Sequence, residues 1–221
     1  MGRFKELLVQ RLSGRLTHPL NRRRLLFFAM PKCGSTSMYP VATRYGFEIH
    51  NHDRRSAGFV ELYERDDLNE RLVFTIVRDP VDRVYSAWRY LKTGGGNAPD
   101  ASDSEKFLQP EEDFDEFVKR SFSRVDAPIL KQIHFRPMVD WIRSGNVNLA
   151  VDLVFSLDQF PHVVNRFIPK FFGFPPTDVK WDKVNVSSIS GVKDIPISPQ
   201  GREMLESVYS EDFKLYLQSC R

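Results

Sequence analysis

Two apolar runs without polar alternation dominate the chain: "LLFFAM" at Leu25–Met30 and "LVFTIV" at Leu72–Val77. Each is too short for a core helix, and the second is rich in β-branched residues. Such runs mark strands buried on both faces, as in a parallel sheet. "LAVDLVFS" at Leu149–Ser156 is a third candidate strand and Phe47–His50 a short fourth. Helical patterns alternate with these strands. Ser35–Tyr45 follows the first, with Ser35, Thr36 or Ser37 near its N-cap and Pro40 expected to kink it or end it early. Val81–Lys92 follows the second, placing Val81, Val84, Tyr85, Trp88 and Leu91 at helical spacing. Asp158–Phe172 follows the third. Glu61–Asn69, Phe114–Phe122 and Ala127–His134 also read as helices. Ser198–Gln218 reads as one closing helix with Ser198 as N-cap and Pro199 in its first turn. "TGGGNAPDASDSEKFLQPEE" at 93–112 reads as a flexible surface loop, and 173–200 as irregular chain. The alternation predicts an α/β fold: a three-layer, P-loop-like arrangement with a central, mostly parallel sheet flanked by helices.

Composition narrows the picture. With 221 residues, 41% hydrophobic, the chain can bury a real core. Residues 1–24 are expected to be a basic extension and 25–221 a single domain. The extension can form a short amphipathic helix that packs on the domain or makes weak contact with a membrane surface. A net charge of +3 argues against a nucleic-acid partner but permits a local cationic pocket. Two cysteines, Cys33 and Cys220, support neither a disulfide framework nor a zinc site. No apolar run approaches the roughly 20 residues of a membrane span, and no signal-peptide core is present, so a cytoplasmic location is expected.

The chemistry lies where strands end. "PKCGSTS" at 31–37 joins a strand to a helix start, where free N–H groups and the helix dipole favour an anion. Gly34 permits close backbone approach, Ser35, Thr36 and Ser37 add hydroxyls, and Lys32 adds a charge. The lysine precedes the glycine, so this is not the GxxxxGK[ST] nucleotide loop. The plainer alternative is an N-capped turn with a solvated lysine. "RDPVDRVYSAW" at 78–88 repeats the strand–turn–helix order. Arg78 stands at the strand end and Ser86 two turns later. Arg78 can grip a second phosphate with its fork. Alternatively Arg78 and Asp79 tie down a turn, and Arg83 lies on a solvated face.

Together these segments resemble the two cofactor signatures of sulfotransferases that use 3′-phosphoadenosine 5′-phosphosulfate. "HFRPMVDWI" at 134–142, "VDLVFSLDQF" at 151–160 and "YSEDFKLY" at 209–216 resemble further elements of the carbohydrate (family 2) branch, in family order. The resemblance runs from about Leu25 to Tyr216.

It implies transfer of a sulfuryl group to an acceptor hydroxyl, that of a glycan, with adenosine 3′,5′-bisphosphate leaving and no metal. Lys32 then supports the leaving oxygen. Cys33, Gly34, Ser35, Thr36 and Ser37 cradle the 5′-phosphate. Arg78 and Ser86 take the 3′-phosphate, and Ser187 and Ser188 in "KVNVSSIS" sit where the family closes a loop over the cofactor. "IHNHDRR" at 49–55 resembles the His-x-His of the heparan sulfate 2-O-sulfotransferases, whose second histidine is the base. That implies His52 as base, with His50 as its neighbour. Arg54 and Arg55, beside His52 in sequence, are candidates for contacting an anionic acceptor, and a solvated pair is their plainer reading. His134 is the rival base, with a structural hydrogen bond as its other reading. For Trp88 core packing is the better account. Two competing functions remain at this level: a P-loop kinase of small molecules, and a non-catalytic module binding anionic glycans or nucleotides.

Overall fold

The computed structural model describes residues 24–51, 70–143, 151–179 and 195–220. Four strands form one parallel sheet: β1 (Arg24–Ala29), β2 (Glu48–Asn51), β3 (Arg71–Val77) and β4 (Leu153–Ser156), in the order β2-β1-β3-β4. The register pairs Phe28 with both His50 and Thr75, and the Thr75 hydroxyl donates to the Phe28 carbonyl at 2.7 Å. The parallel α/β sheet expected from the two apolar runs is present.

The runs are continuous because both faces of β1 and β3 are covered. Leu26, Phe28, Met30, Val73 and Val77 pack on one face against Met138, Trp141, Ile142 and Leu215. Leu25, Phe27, Ala29, Phe74 and Ile76 pack on the other against Met38, Val41, Val164 and Ile168. A third cluster, built on Phe114, Phe117, Phe122 and Phe135, lies under the helix that follows β3. The aromatic wealth of the chain is therefore mostly core.

After β1 the chain runs through helix α1 (Ser35–Tyr45) to β2, then returns to the other side of β1 as β3. The β1/β3 boundary is thus the point where connections diverge, and ligands of such sheets bind at the carboxyl ends of those strands. Pro40 neither ends α1 nor shortens it. Five residues into the helix, it removes a single backbone bond, and the buried Met38, Val41 and Ala42 hold the rest.

Helix α2 (Pro80–Lys92) follows β3, with Asp79 capping it through the N–H groups of Val81 and Asp82. Residues 93–112, expected to be a loop, contain helix α3 (Ala98–Phe107), capped by Asn97 onto the Asp100 N–H. Helix α4 is Phe114–Ser121. The helix expected over Ala127–His134 is only a 3-10 turn, Pro128–Lys131, followed by the short α5 (Val139–Ile142). The strand expected from Leu149 starts at Leu153. Before it, Asp152 bonds to Val73 through both its backbone N–H and its carboxylate. Helix α6 spans Phe160 to Phe171 with a π-wound middle, Val163–Phe167.

The closing helix is two: α7 (Pro199–Val208) and α8 (Ser210–Ser219). Ser198 caps α7 as expected. The break at Tyr209 turns two buried groups onto the 134–142 segment. Tyr209 donates its hydroxyl proton to the Phe135 carbonyl at 2.6 Å, and the Asp212 carboxylate accepts from the N–H groups of Met138 and Val139 at 2.7 and 2.9 Å. "HFRPMVDWI" and "YSEDF" are therefore two halves of one joint. Burial pushes the Asp212 carboxyl up to about 6, against the pull of Arg83 and the two N–H donors.

Asp212→Ala strands two buried N–H groups, at about 1–3 kcal/mol each, whereas Tyr209→Phe removes a single neutral bond worth about 1 kcal/mol. Urea denaturation is expected to rank Asp212→Ala well below Tyr209→Phe, and both below the wild type.

Candidate functional site

The segment between β1 and α1 is held in an unusual conformation. Lys32 has φ 63°, in the left-handed region that costs a side-chain-bearing residue roughly 1–2 kcal/mol. Gly34 has φ 81° and is the N-cap of α1. A Cβ at Gly34 would stand 2.7 Å from Leu157 Cδ1, so glycine is required here for both conformation and space. The cap expected from Ser35, Thr36 or Ser37 is instead Gly34, which has no side chain to offer. The first turn of α1 also lacks an acidic residue. Cys33 N–H is directed at the Met30 carbonyl and Ser37 N–H at the Gly34 carbonyl. Among the described residues no acceptor meets the N–H groups of Gly34, Ser35 or Thr36. A helix start of this kind presents donors and a positive dipole end to an anion.

The loop is pinned from behind. Arg83, expected on a solvated helix face, is wholly buried. Its Nε donates to the Pro31 carbonyl at 3.2 Å and its Nη2 to the Arg136 carbonyl at 2.7 Å. A guanidinium offers five donors and stays charged, so it can bind both carbonyls at once. Cys33 is also buried, its thiol 3.8 Å from Met138 Sδ and facing the Arg78 backbone N–H. Burial raises its pKa, which makes it an anchor for the loop and not a nucleophile.

Two cations meet at the β1/β3 boundary. Arg78 leaves the end of β3 with its Nε 4.0 Å from Asp82 Oδ2. Lys32 lies with its Nζ 3.9 Å above the centroid of the Tyr90 ring. Burial first, and then the nearby Arg78 charge, lower the Lys32 pKa to about 8, with Asp100 opposing. Ser86 sits on the buried face of α2, two turns beyond Arg78. Lys32, Cys33, Gly34, Ser35, Thr36, Ser37 and Arg78 thus share the carboxyl edge of β1 and β3.

His50 lies on β2, its ring stacked on Phe28 at 5.6 Å between centroids. His52, Arg54, Arg55, Ser187 and Ser188 lie outside the described residues. His134 is buried, with its Nε2 3.3 Å from Asp100 Oδ1 and its ring edge-on to Tyr90. That is the structural hydrogen bond named as its other reading. Trp88 packs with Tyr85 and Phe114, as expected for core. Lys92 is taken up by the carbonyls of Gln109, Pro110 and Glu112.

Sequence reasoning missed Asp100, which takes the hydroxyl proton of the Tyr90 ring over which Lys32 lies. The signal was present in "NAPD": an Asn cap, a proline in the first turn and an acid three residues on. The run of glycines before it suggested a loop instead.

The sequence model of the sulfotransferase family matches residues 20–217. No curated protein and no solved structure matches the chain.

Gly34→Ala is expected to lower stability by about 1 kcal/mol from the left-handed backbone and to weaken binding of phosphate-bearing ligands. Adding Leu157→Ala relieves the clash only. Calorimetry on both variants checks this, and full recovery in the double variant would show that the backbone conformation does not matter.

Proposed function

The chain belongs to the sulfotransferase family, and from that membership we propose that it moves a sulfuryl group from 3′-phosphoadenosine 5′-phosphosulfate to a hydroxyl of a carbohydrate. The observation that carries the donor assignment is the pairing of an uncapped, acid-free helix start beside Lys32 with Arg78 on the adjacent strand end. One anion site would suit any phosphate. Two cations serving separate sites suit a ligand with phosphates at both ends of a ribose, and that is the feature separating this donor from a plain nucleotide.

In this reading the donor supplies an activated sulfuryl group, and the chain positions it and balances charge. The N–H groups of Gly34, Ser35 and Thr36 hold the 5′-phosphate, with Cys33, Ser37 and the three hydroxyls completing the cradle. Lys32 neutralises charge that develops on the oxygen leaving sulfur. Arg78 exchanges its distant contact with Asp82 for the 3′-phosphate, helped by Ser86. Ser187 and Ser188 are assigned to closure over the cofactor by family resemblance alone. His52 is the proposed base for the acceptor hydroxyl. It follows the last residue of β2 in sequence, and its pairing with His50 rests on the His-x-His resemblance. Arg54 and Arg55 are the proposed contacts for an anionic acceptor.

Thermal unfolding with adenosine 3′,5′-bisphosphate and with AMP tests the donor assignment. The bisphosphate is expected to stabilise the wild type more than AMP does, and Arg78→Ala is expected to abolish the difference while keeping the AMP response. Equal stabilisation by both ligands would contradict the reading. Because Lys32 loses its proton as pH rises through about 8, affinity for either ligand is also expected to fall from neutral to alkaline pH.

His52→Ala is expected to abolish sulfuryl transfer to glycan acceptors with bisphosphate affinity retained. Undiminished turnover would remove His52 as the base, and undiminished function by a purely binding readout would favour a non-catalytic module.

A further inference from the structure

We propose that Asp100, held in place by Tyr90, Asn97 and His134, is a positioning residue that seats the Lys32 ammonium over the Tyr90 ring and keeps it charged before any ligand arrives. The proposal rests on the reading of Lys32 as the cation of the anion site.

The geometry comes from three separate parts of the chain. Tyr90, on α2, donates its hydroxyl proton to Asp100 Oδ2 at 2.7 Å. Asn97 Nδ2 donates to the same oxygen at 2.8 Å, while its own side-chain oxygen caps α3 at the Asp100 N–H. His134 Nε2 lies 3.3 Å from the other oxygen, Oδ1. Gln132 holds His134 by accepting its backbone N–H at 2.6 Å and donates to Asp103 at 3.1 Å. Asp100 is 3% exposed, so its position is decided by these partners and not by solvent.

The glycines before α3 now have a reason. A Cβ at Gly95 would stand 2.3 Å from Asp100 Cβ, and one at Gly96 would stand 2.7 Å from the Tyr90 hydroxyl. Gly95 also has φ 68°. The chain folds back tightly over the Tyr90–Asp100 pair, and side chains at these two positions would force it off.

Lys32 needs such a partner. It is substantially buried, and burial disfavours the ammonium. Arg78, from the end of β3, repels it. Tyr90 offers a ring face, which attracts a cation but carries no net charge. Cys33, on its own loop, also favours the charged lysine, but less than Asp100 does, and burial raises the pKa of its thiol. His134 faces Asp100 and takes part of its hydrogen-bonding capacity. Asp100 is thus the carboxylate that opposes both burial and Arg78 at Lys32. An anion site that kept its lysine charged only after binding would have to supply the proton during binding.

Competitive acetylation of the ligand-free protein, read lysine by lysine by mass spectrometry from neutral to alkaline pH, measures the Lys32 midpoint without any substrate. The wild-type midpoint is expected near 8. Asp100→Asn is expected to lower it by about one pH unit, so that Lys32 is acetylated several-fold faster at neutral pH. Asp126→Asn, at an exposed carboxylate paired with Arg124, is expected to leave it unchanged. A folded Asp100→Asn protein with the wild-type midpoint would overturn the proposal. If Asp100→Asn does not fold, Tyr90→Leu decides. Loss of the ring face is expected to lower the midpoint, and an unchanged midpoint overturns the proposal equally. Bisphosphate binding, measured separately on the wild type, keeps the two claims apart. A protein with a lowered Asp100→Asn midpoint and no bisphosphate response retains the positioning device and loses the donor assignment. A protein that binds the bisphosphate with an unshifted midpoint loses only the device.

Discussion

A single buried guanidinium organises the carboxyl edge of the sheet. Arg83 binds the Pro31 carbonyl at the start of the loop between β1 and α1 and the Arg136 carbonyl in the 134–142 segment. Burying an unpaired charge is strongly unfavourable, so a wholly buried arginine tolerates little movement in the carbonyls that solvate it. The left-handed backbone of Lys32 and Gly34 persists against its cost because the residue before them is held this way. The 134–142 segment is fixed in turn by Tyr209 and Asp212 of the closing helices. Segments far apart in sequence therefore meet in one continuous joint, and the loop between β1 and α1 is one end of it.

The electrostatics of this edge follow from crowding like charges. Lys32 and Arg78 converge on the strand boundary, and each makes the other less comfortable in the absence of a ligand. Asp82 stands at arm's length from Arg78, and Asp100 lies behind Tyr90 on the lysine side. In the proposed reading an incoming anion relieves this repulsion, while Asp82 stays 4.0 Å from Arg78 and Asp100 is occupied by Tyr90 and Asn97. This is the preorganised arrangement that charge-transferring reactions use. Among the described residues no cluster of His, Cys, Asp and Glu is disposed to hold a metal ion.

Much of this was legible in the chain itself. The two apolar runs marked β1 and β3, because strands covered on both faces have no reason to alternate. Small and hydroxylated residues after the first run marked a helix start, and Arg-Asp-Pro marked the next. What stayed hidden was non-local. Nothing near Arg83 in sequence reveals that its partners are carbonyls 52 and 53 residues away, so a charged residue on a helix read as solvated. Helix α3 was masked by its composition, although its Asn cap and first-turn proline were in plain view. The break at Tyr209 was invisible for the same reason as Arg83: it serves contacts with Phe135 and Asp212's partners more than 70 residues away.

The central claim is that the β1/β3 edge holds a ligand by two phosphates, one on the start of α1 and one on Arg78. A crystal structure with adenosine 3′,5′-bisphosphate tests it most directly. The account predicts the 5′-phosphate against the N–H groups of Gly34, Ser35 and Thr36 beside Lys32, and the 3′-phosphate on Arg78 within reach of Ser86. A ligand bound with its 3′-phosphate in solvent, or with Arg78 still directed at Asp82, would contradict it.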